Sequence, residues 1–120
     1  MKSTLKILLP FFCIIFLFNA CTRDTVEEST CDPTEIPTYD LEIKPFIVKY
    51  CAYAGCHVQG FASGDFTSYE VLKDQLNSGF LTEITSGNMP PSYVEEDLRD
   101  MTATEVHAFQ CWAQAGYPEN

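Results

Sequence analysis

Cations are scarce in this chain of 120 residues: seven Lys and Arg stand against seventeen Asp and Glu, a formal net charge of −10. A surface this acidic repels phosphate backbones and excludes nucleic acid as a partner. There are only two histidines, and the carboxylates do not cluster at metal-site spacings. Among the six glycines there is no phosphate-cradling loop, and no nucleophile stands beside a base. No apolar run reaches the roughly twenty residues that span a bilayer. Internal repeats and the alternating pattern of strands are missing as well, so the periodic segments that remain are helical.

The longest apolar stretch lies at the start. Lys2 and Lys6 precede Ile7–Phe18, about a dozen residues, the length of a signal-peptide core. It ends in Phe18-Asn19-Ala20-Cys21, which resembles a bacterial lipoprotein signal in which the cysteine is lipidated and becomes the new N-terminus. Ordinary signal cleavage near Ala20, with Cys21 a bystander, is the other reading. Both export the chain. Loss of residues 1–20 removes Lys2 and Lys6, so −10 becomes −12. Residues 22–39 then carry Asp24, Glu27, Glu28, Asp32 and Glu35 with Pro33 and Pro37 and few large apolar side chains. Such a stretch cannot drive collapse and is expected to be a spacer, at most about 60 Å long when extended.

Beyond the spacer, apolar positions recur at helical intervals. Leu41, Ile43, Phe46, Ile47 and Tyr50 predict an amphipathic helix with Asp40 as N-cap; Pro45 restricts how that helix can begin. Ser68 is the expected cap of a second helix over Tyr69–Asn77, with Val71, Leu72 and Leu76 inward and Gly79 as its stop. A helical turn is expected over Leu81–Thr85, followed by the turn Asn88-Met89-Pro90-Pro91 and a polar stretch to Asp100. Thr102 and Glu105 form a capping box that opens a last helix over Ala103–Ala115, with Val106, Phe109, Trp112 and Ala113 inward.

The segment richest in chemistry is Cys51-Ala52-Tyr53-Ala54-Gly55-Cys56-His57. Two thiols followed at once by an imidazole can attach a c-type haem through two thioethers and one axial nitrogen. The common spacing has two residues between the cysteines; here there are four. On a regular helix Cys51 and Cys56 would sit about 140° apart. The chain must therefore loop out between them, and Gly55 gives it the freedom to return. The other nitrogen of His57 is expected to donate to a backbone carbonyl that the sequence does not identify. A Cys51–Cys56 disulfide beside a loop histidine is the alternative.

In order along the chain stand Ile43-Lys44-Pro45-Phe46, the Cys…Cys-His segment, Phe66-Thr67-Ser68-Tyr69, Ser86-Gly87-Asn88-Met89-Pro90-Pro91 and Trp112-Ala113-Gln114-Ala115-Gly116. Together they resemble class I c-type cytochromes, and more closely the short lipid-anchored cytochrome c-like domains of Gram-negative bacteria. The resemblance covers residues 40–118. It implies an all-α fold, a small helical domain over 39–120 around one covalently bound haem c, preceded by the signal peptide 1–20 and the lipidated, acidic linker 21–38. It also implies that Cys51, Cys56, His57 and Met89 hold the cofactor, with His57 and Met89 as iron ligands. The Gly87 and Pro90-Pro91 flanks of Met89 suit that role. Met101, just before a cap, is expected in the core, and His107 on the last helix is expected at or near the surface. Phe46, Phe61, Phe66, Phe80, Phe109 and Trp112 are expected to pack around the macrocycle.

Six cysteines can then be accounted for. Cys13 leaves with the signal, Cys21 takes lipid, Cys51 and Cys56 take haem, and Cys31 and Cys111 are left to pair in an oxidising compartment, with two free thiols as the alternative. The expected function is outer-sphere electron transfer, not enzyme catalysis. It would take place in the cell envelope, on the periplasmic or outer side of a membrane, with a redox partner that carries a basic patch. Two alternatives stand beside it: a haem sensor or peroxidase-like protein with a displaceable Met89, and a haem-free binding or structural lipoprotein.

Overall fold

The computed structural model describes residues 30–120. The expected signal peptide, Cys13, the lipidation site Cys21 and the spacer as far as residue 29 lie outside the described residues. Within them the chain is helical and contains no strand, and no helix is long and apolar enough to cross a membrane. A π-helical turn, Tyr39–Ile43, runs into α1, Lys44–Tyr50. After a long loop come α2, Tyr69–Lys73, a 3₁₀ turn, Leu76–Ser78, and α3, Phe80–Thr85. Then follow α4, Glu96–Arg99, and α5, Ala103–Gln114.

Pro45 accounts for the wide first turn. A proline lacks the N–H and its ring collides with the carbonyl four residues back, here that of Leu41. The Ile43 N–H instead donates five residues back to the Thr38 carbonyl at 3.1 Å, and that of Lys44 donates to Tyr39. The turn is widened before Pro45, which then occupies an early position of regular helix where no donor is missed. Thr38, not Asp40, is the N-cap, and the Glu42 carboxylate reaches back to its N–H at 2.8 Å. The C-terminal tail supplies the next acceptors. Tyr39 N–H donates to the Pro118 carbonyl at 2.9 Å and Asp40 N–H to that of Glu119 at 3.0 Å.

The buried stripe of this first helix is Tyr39, Ile43, Ile47 and Tyr50. Leu41, expected inward, lies two residues off that stripe and is 72% exposed. Opposite stands α5, whose start is fixed by the expected capping box: Glu105 N–H donates to Thr102 Oγ1 at 3.2 Å, and Thr102 N–H to Glu105 Oε2 at 2.7 Å. Its Phe109 and Trp112 are fully buried. Phe80 of α3 meets both rings edge-on, at 5.9 and 6.3 Å between centroids. Trp112 Nε1 donates to the Pro118 carbonyl at 2.8 Å, which satisfies its only donor. Truncating either large ring to alanine would cost about 3–5 kcal/mol.

The middle of the chain departs most from expectation. Helix α2 ends at Lys73 instead of Asn77, and the chain tightens into the 3₁₀ turn. There Ser78 Oγ donates to the Gln75 carbonyl at 2.8 Å, a local bond that competes with the helical ladder. Leu72 and Leu76 are buried as expected, whereas Val71 is exposed. Ser68 holds the N-cap position without a side-chain bond, and the Asp65 carboxylate fastens the turn just before it through Thr67 N–H and Oγ1. The expected polar stretch before Asp100 contains α4, with Glu96 and Asp97 in its first turn and Arg99 in its last. Cys31 and Cys111 are disulfide-bonded with Cα atoms 5.3 Å apart, which fastens the end of the spacer to α5 as expected.

Candidate functional site

The site begins where α1 stops. Cys51 and Ala52 N–H both donate to the Ile47 carbonyl, at 2.9 and 2.8 Å, and the chain then leaves the helix. Gly55 takes a left-handed φ of +92°, which a side chain would resist. His57 N–H returns to the Cys51 carbonyl at 3.1 Å. The segment therefore loops out and closes, and Cys56 and His57 come back to the end of the helix that carries Cys51.

Cys51 and Cys56 are separate thiols. Burial raises the Cys51 thiol to about 12, with the nearby Cys56 adding to the effect. The Tyr53 phenol is likewise raised to about 12, by burial first and then by its charge interaction and hydrogen bond with Cys56. Neither group carries charge at neutral pH, so this rim of the site is uncharged.

His57 is fixed in two ways. Its Nδ1 lies 3.1 Å from the Ser63 carbonyl oxygen; that oxygen can only accept, so Nδ1 carries the proton and Nε2 presents its lone pair. Its ring stacks on Phe66, with centroids 3.8 Å apart and planes 18° from parallel. Phe66 is itself anchored by Tyr39, whose hydroxyl donates to the Phe66 carbonyl at 2.8 Å, and Phe66 N–H donates to the His57 carbonyl at 3.1 Å. Ser63 Oγ also donates to the Cys56 carbonyl at 2.6 Å. Burial lowers the His57 pKa, opposed by the bond to Ser63, and keeps the imidazole neutral and available as a donor ligand.

Met89 reaches the same cavity from the segment that follows α3. Gly87, at φ +73°, turns the chain after α3, and Met89 N–H donates to the Glu83 carbonyl at 3.0 Å. Pro90 is buried, whereas Met89 is 41% exposed.

All four residues line a single cavity of about 360 Å³, with Phe66, Phe80, Ile84 and Pro90 among its apolar walls. That volume lies within the range of about 300–1,000 Å³ in which small organic ligands and cofactors are held. Cys51, Cys56, His57 and Met89 thus border one largely apolar space. The donor set fits a haem: two sulfurs for its vinyl groups and an axial pair for its iron. Of the aromatics expected around a macrocycle, Phe66 and Phe80 line the cavity. Phe46, Phe109 and Trp112 pack in or against the core behind it, and Phe61 is exposed. Met101 packs against the core, as expected.

Sequence reasoning did not find Ser63, Tyr53 or Tyr93. The last two line the cavity, and Ser63 orients His57. The ring-on-ring contact of Phe66 with His57 carried no signal, because eight residues of irregular loop separate them. His107 lies away from the cavity, half-buried, with Nε2 3.3 Å from Cys111 Sγ. Comparison with protein-family models, curated proteins and solved structures returned no match, so the cytochrome resemblance rests on this chain's own residues.

Proposed function

We propose that this chain is a mono-haem c-type cytochrome that carries single electrons while tethered through Cys21 to a bacterial envelope membrane. The observation that supports this most strongly is the meeting of Cys51, Cys56, His57 and Met89 on the wall of one apolar cavity, from segments more than thirty residues apart in sequence. Bound there, haem would supply the one-electron Fe(II)/Fe(III) couple. The chain's own part is to hold and orient. Cys51 and Cys56 would carry the thioethers. The Ser63 carbonyl and the Phe66 ring hold the His57 imidazole with Nε2 presented, and His57 and Met89 would hold the iron. The phenyl rings and prolines supply the apolar part of the wall.

Exchange of electrons with a partner needs an exposed edge, and the exposed Met89 and Tyr93 stand at the cavity mouth. The acidic net charge suits a basic partner surface. The exposure of Met89 also supports a second reading, in which this ligand is displaced and the site senses or activates a small molecule.

The test is a pyridine haemochrome assay on full-length chain made in a host able to mature c-type cytochromes. One covalent haem per chain is expected, lost in Cys51→Ser/Cys56→Ser, with a methionine-to-iron charge-transfer band that Met89→Ala abolishes. Chain recovered without haem from such a host would refute the proposal. A high-spin ferric spectrum in the unmodified protein would favour the second reading.

A further inference from the structure

A second chemical centre lies apart from the cavity, where the N-terminal segment meets α5. Cys31 and Cys111 are bonded there. His107 stands one helical turn before Cys111 on the same face, with Nε2 3.3 Å and Nδ1 3.9 Å from its sulfur. The two sulfurs differ in surroundings. Cys111 is buried within α5, whereas Cys31 is only partly buried on the segment that precedes the first helix. A hollow of about 230 Å³ opens beside the bond, walled by both cysteines, Asp32, Pro33, Ile36 and Gln114 among others. Ile36 is half-exposed at this wall and offers an apolar contact.

Thiol–disulfide exchange requires a thiolate that reaches one sulfur and a leaving group that departs from the other. It runs faster when the leaving thiolate is stabilised. Exposure selects Cys31 as the sulfur attacked, and the adjacent imidazole selects Cys111 as the sulfur that leaves. Both asymmetries point in one direction. A bond that served only as a staple would need neither the hollow nor the imidazole.

We propose that Cys31–Cys111 is an exchange site for external dithiols, in which the incoming thiolate attacks Cys31 Sγ and His107 receives the expelled Cys111 sulfur. In the first step a bond forms between the external sulfur and Cys31 Sγ, and the Cys31–Cys111 bond breaks. Cys111 leaves with the electron pair beside the His107 imidazole and then takes a proton from solvent. In the second step the other thiol of the dithiol loses its proton and displaces Cys31. The external dithiol is oxidised to its disulfide, and two electrons and two protons have passed to Cys31 and Cys111. Reduction also releases the segment around residue 31 from α5.

The experiment uses the full mature chain with its disulfide formed. Brief exposure to glutathione, an acid quench and peptide mapping locate the first adduct and separate Cys31 and Cys111 from Cys51 and Cys56. Second-order rates of reduction by dithiothreitol are then compared for the unmodified chain, His107→Ala and His107→Gln. The adduct is expected on Cys31 with Cys111 recovered as a thiol, and both variants should be reduced at least about tenfold more slowly. An adduct on Cys111 or shared between the two would overturn the proposal, as would rates that do not depend on residue 107. The adduct position needs no variant, so it decides even if His107→Ala folds poorly.

Discussion

Replacing Glu105 with glutamine removes a single charge from the most heavily hydrogen-bonded carboxylate of the fold. Its oxygens accept from Thr102 N–H and Oγ1 at 2.7 and 2.9 Å, from the Tyr50 hydroxyl at 2.8 and 2.9 Å, and from Lys49 Nζ at 3.2 Å. The side chain is 14% exposed. Burial alone would raise its pKa, but the bonds from Thr102, Tyr50 and Lys49 outweigh it and lower the carboxyl from 4.5 to about 2. Each tenfold change in proton affinity corresponds to about 1.4 kcal/mol, so the ionised form is worth about 3 kcal/mol at neutral pH. Lys49 is half-exposed and screened by water, and glutamine keeps the acceptor for Thr102 N–H. About 2 kcal/mol is therefore expected from Glu105→Gln. Because the folded pKa is depressed, this stability is present above pH 4.5 and is lost as pH falls towards 2. Urea unfolding followed by helical circular dichroism, for both proteins between pH 7 and pH 2.5, provides the check. The gap between them should be full at pH 7 and reduced to about a quarter at pH 2.5, with the other acidic groups cancelling in the difference. A gap that stays constant with pH, or that is below about 0.5 kcal/mol at pH 7, would show that the carboxylate does not clamp α1 to α5.

Two further perturbations probe the ends of the domain. Cys31→Ser opens a cross-link that spans 80 residues, and the loop entropy returned to the unfolded chain should cost about 4 kcal/mol, read as a lower urea midpoint. A midpoint within error of the unmodified chain would mean that the bond does not constrain the unfolded state. Removing Pro118–Asn120 deletes the acceptors of Tyr39 N–H, Asp40 N–H and Trp112 Nε1; at about 1 kcal/mol for each bond, a loss of about 3 kcal/mol is expected. Amide hydrogen exchange should then quicken at Tyr39 and Asp40 before it does in the rest of α1, and unchanged protection there would count against the tail as a cap.

Helices with local punctuation were legible in the sequence, and those shaped by distant contacts were not. Helix α5 carries its start in Thr102 and Glu105 and its stop in Gly116, and its extent was read to within a residue. The first helix was read correctly as an element but not in its cap, because the acceptors for its leading N–H groups come from residues 118 and 119 at the far end of the chain. Leu41 was misread because hydrophobicity alone does not say which of two apolar stripes faces inward. Helix α4 went unread although the acids in its first turn and Arg99 in its last match the helix dipole; at four residues it has no apolar period. At the candidate site, the residues with distinctive chemistry stood out, whereas the Ser63 carbonyl and the Phe66 ring gain their roles only from the path of the loop.

The pairing of the first helical turn with the last residues bears on when this domain can form. A chain whose synthesis has not reached residue 118 has neither Pro118 nor Glu119 available. The donors at Tyr39 and Asp40 then face water, and the Trp112 side chain has no counterpart for its indole nitrogen. The first helix of the described residues is thus completed by residues 118 and 119. Capping of the first helical turn therefore waits until residue 119 has been made, and until then the thiols at positions 51 and 56 follow a helix whose start is incompletely capped.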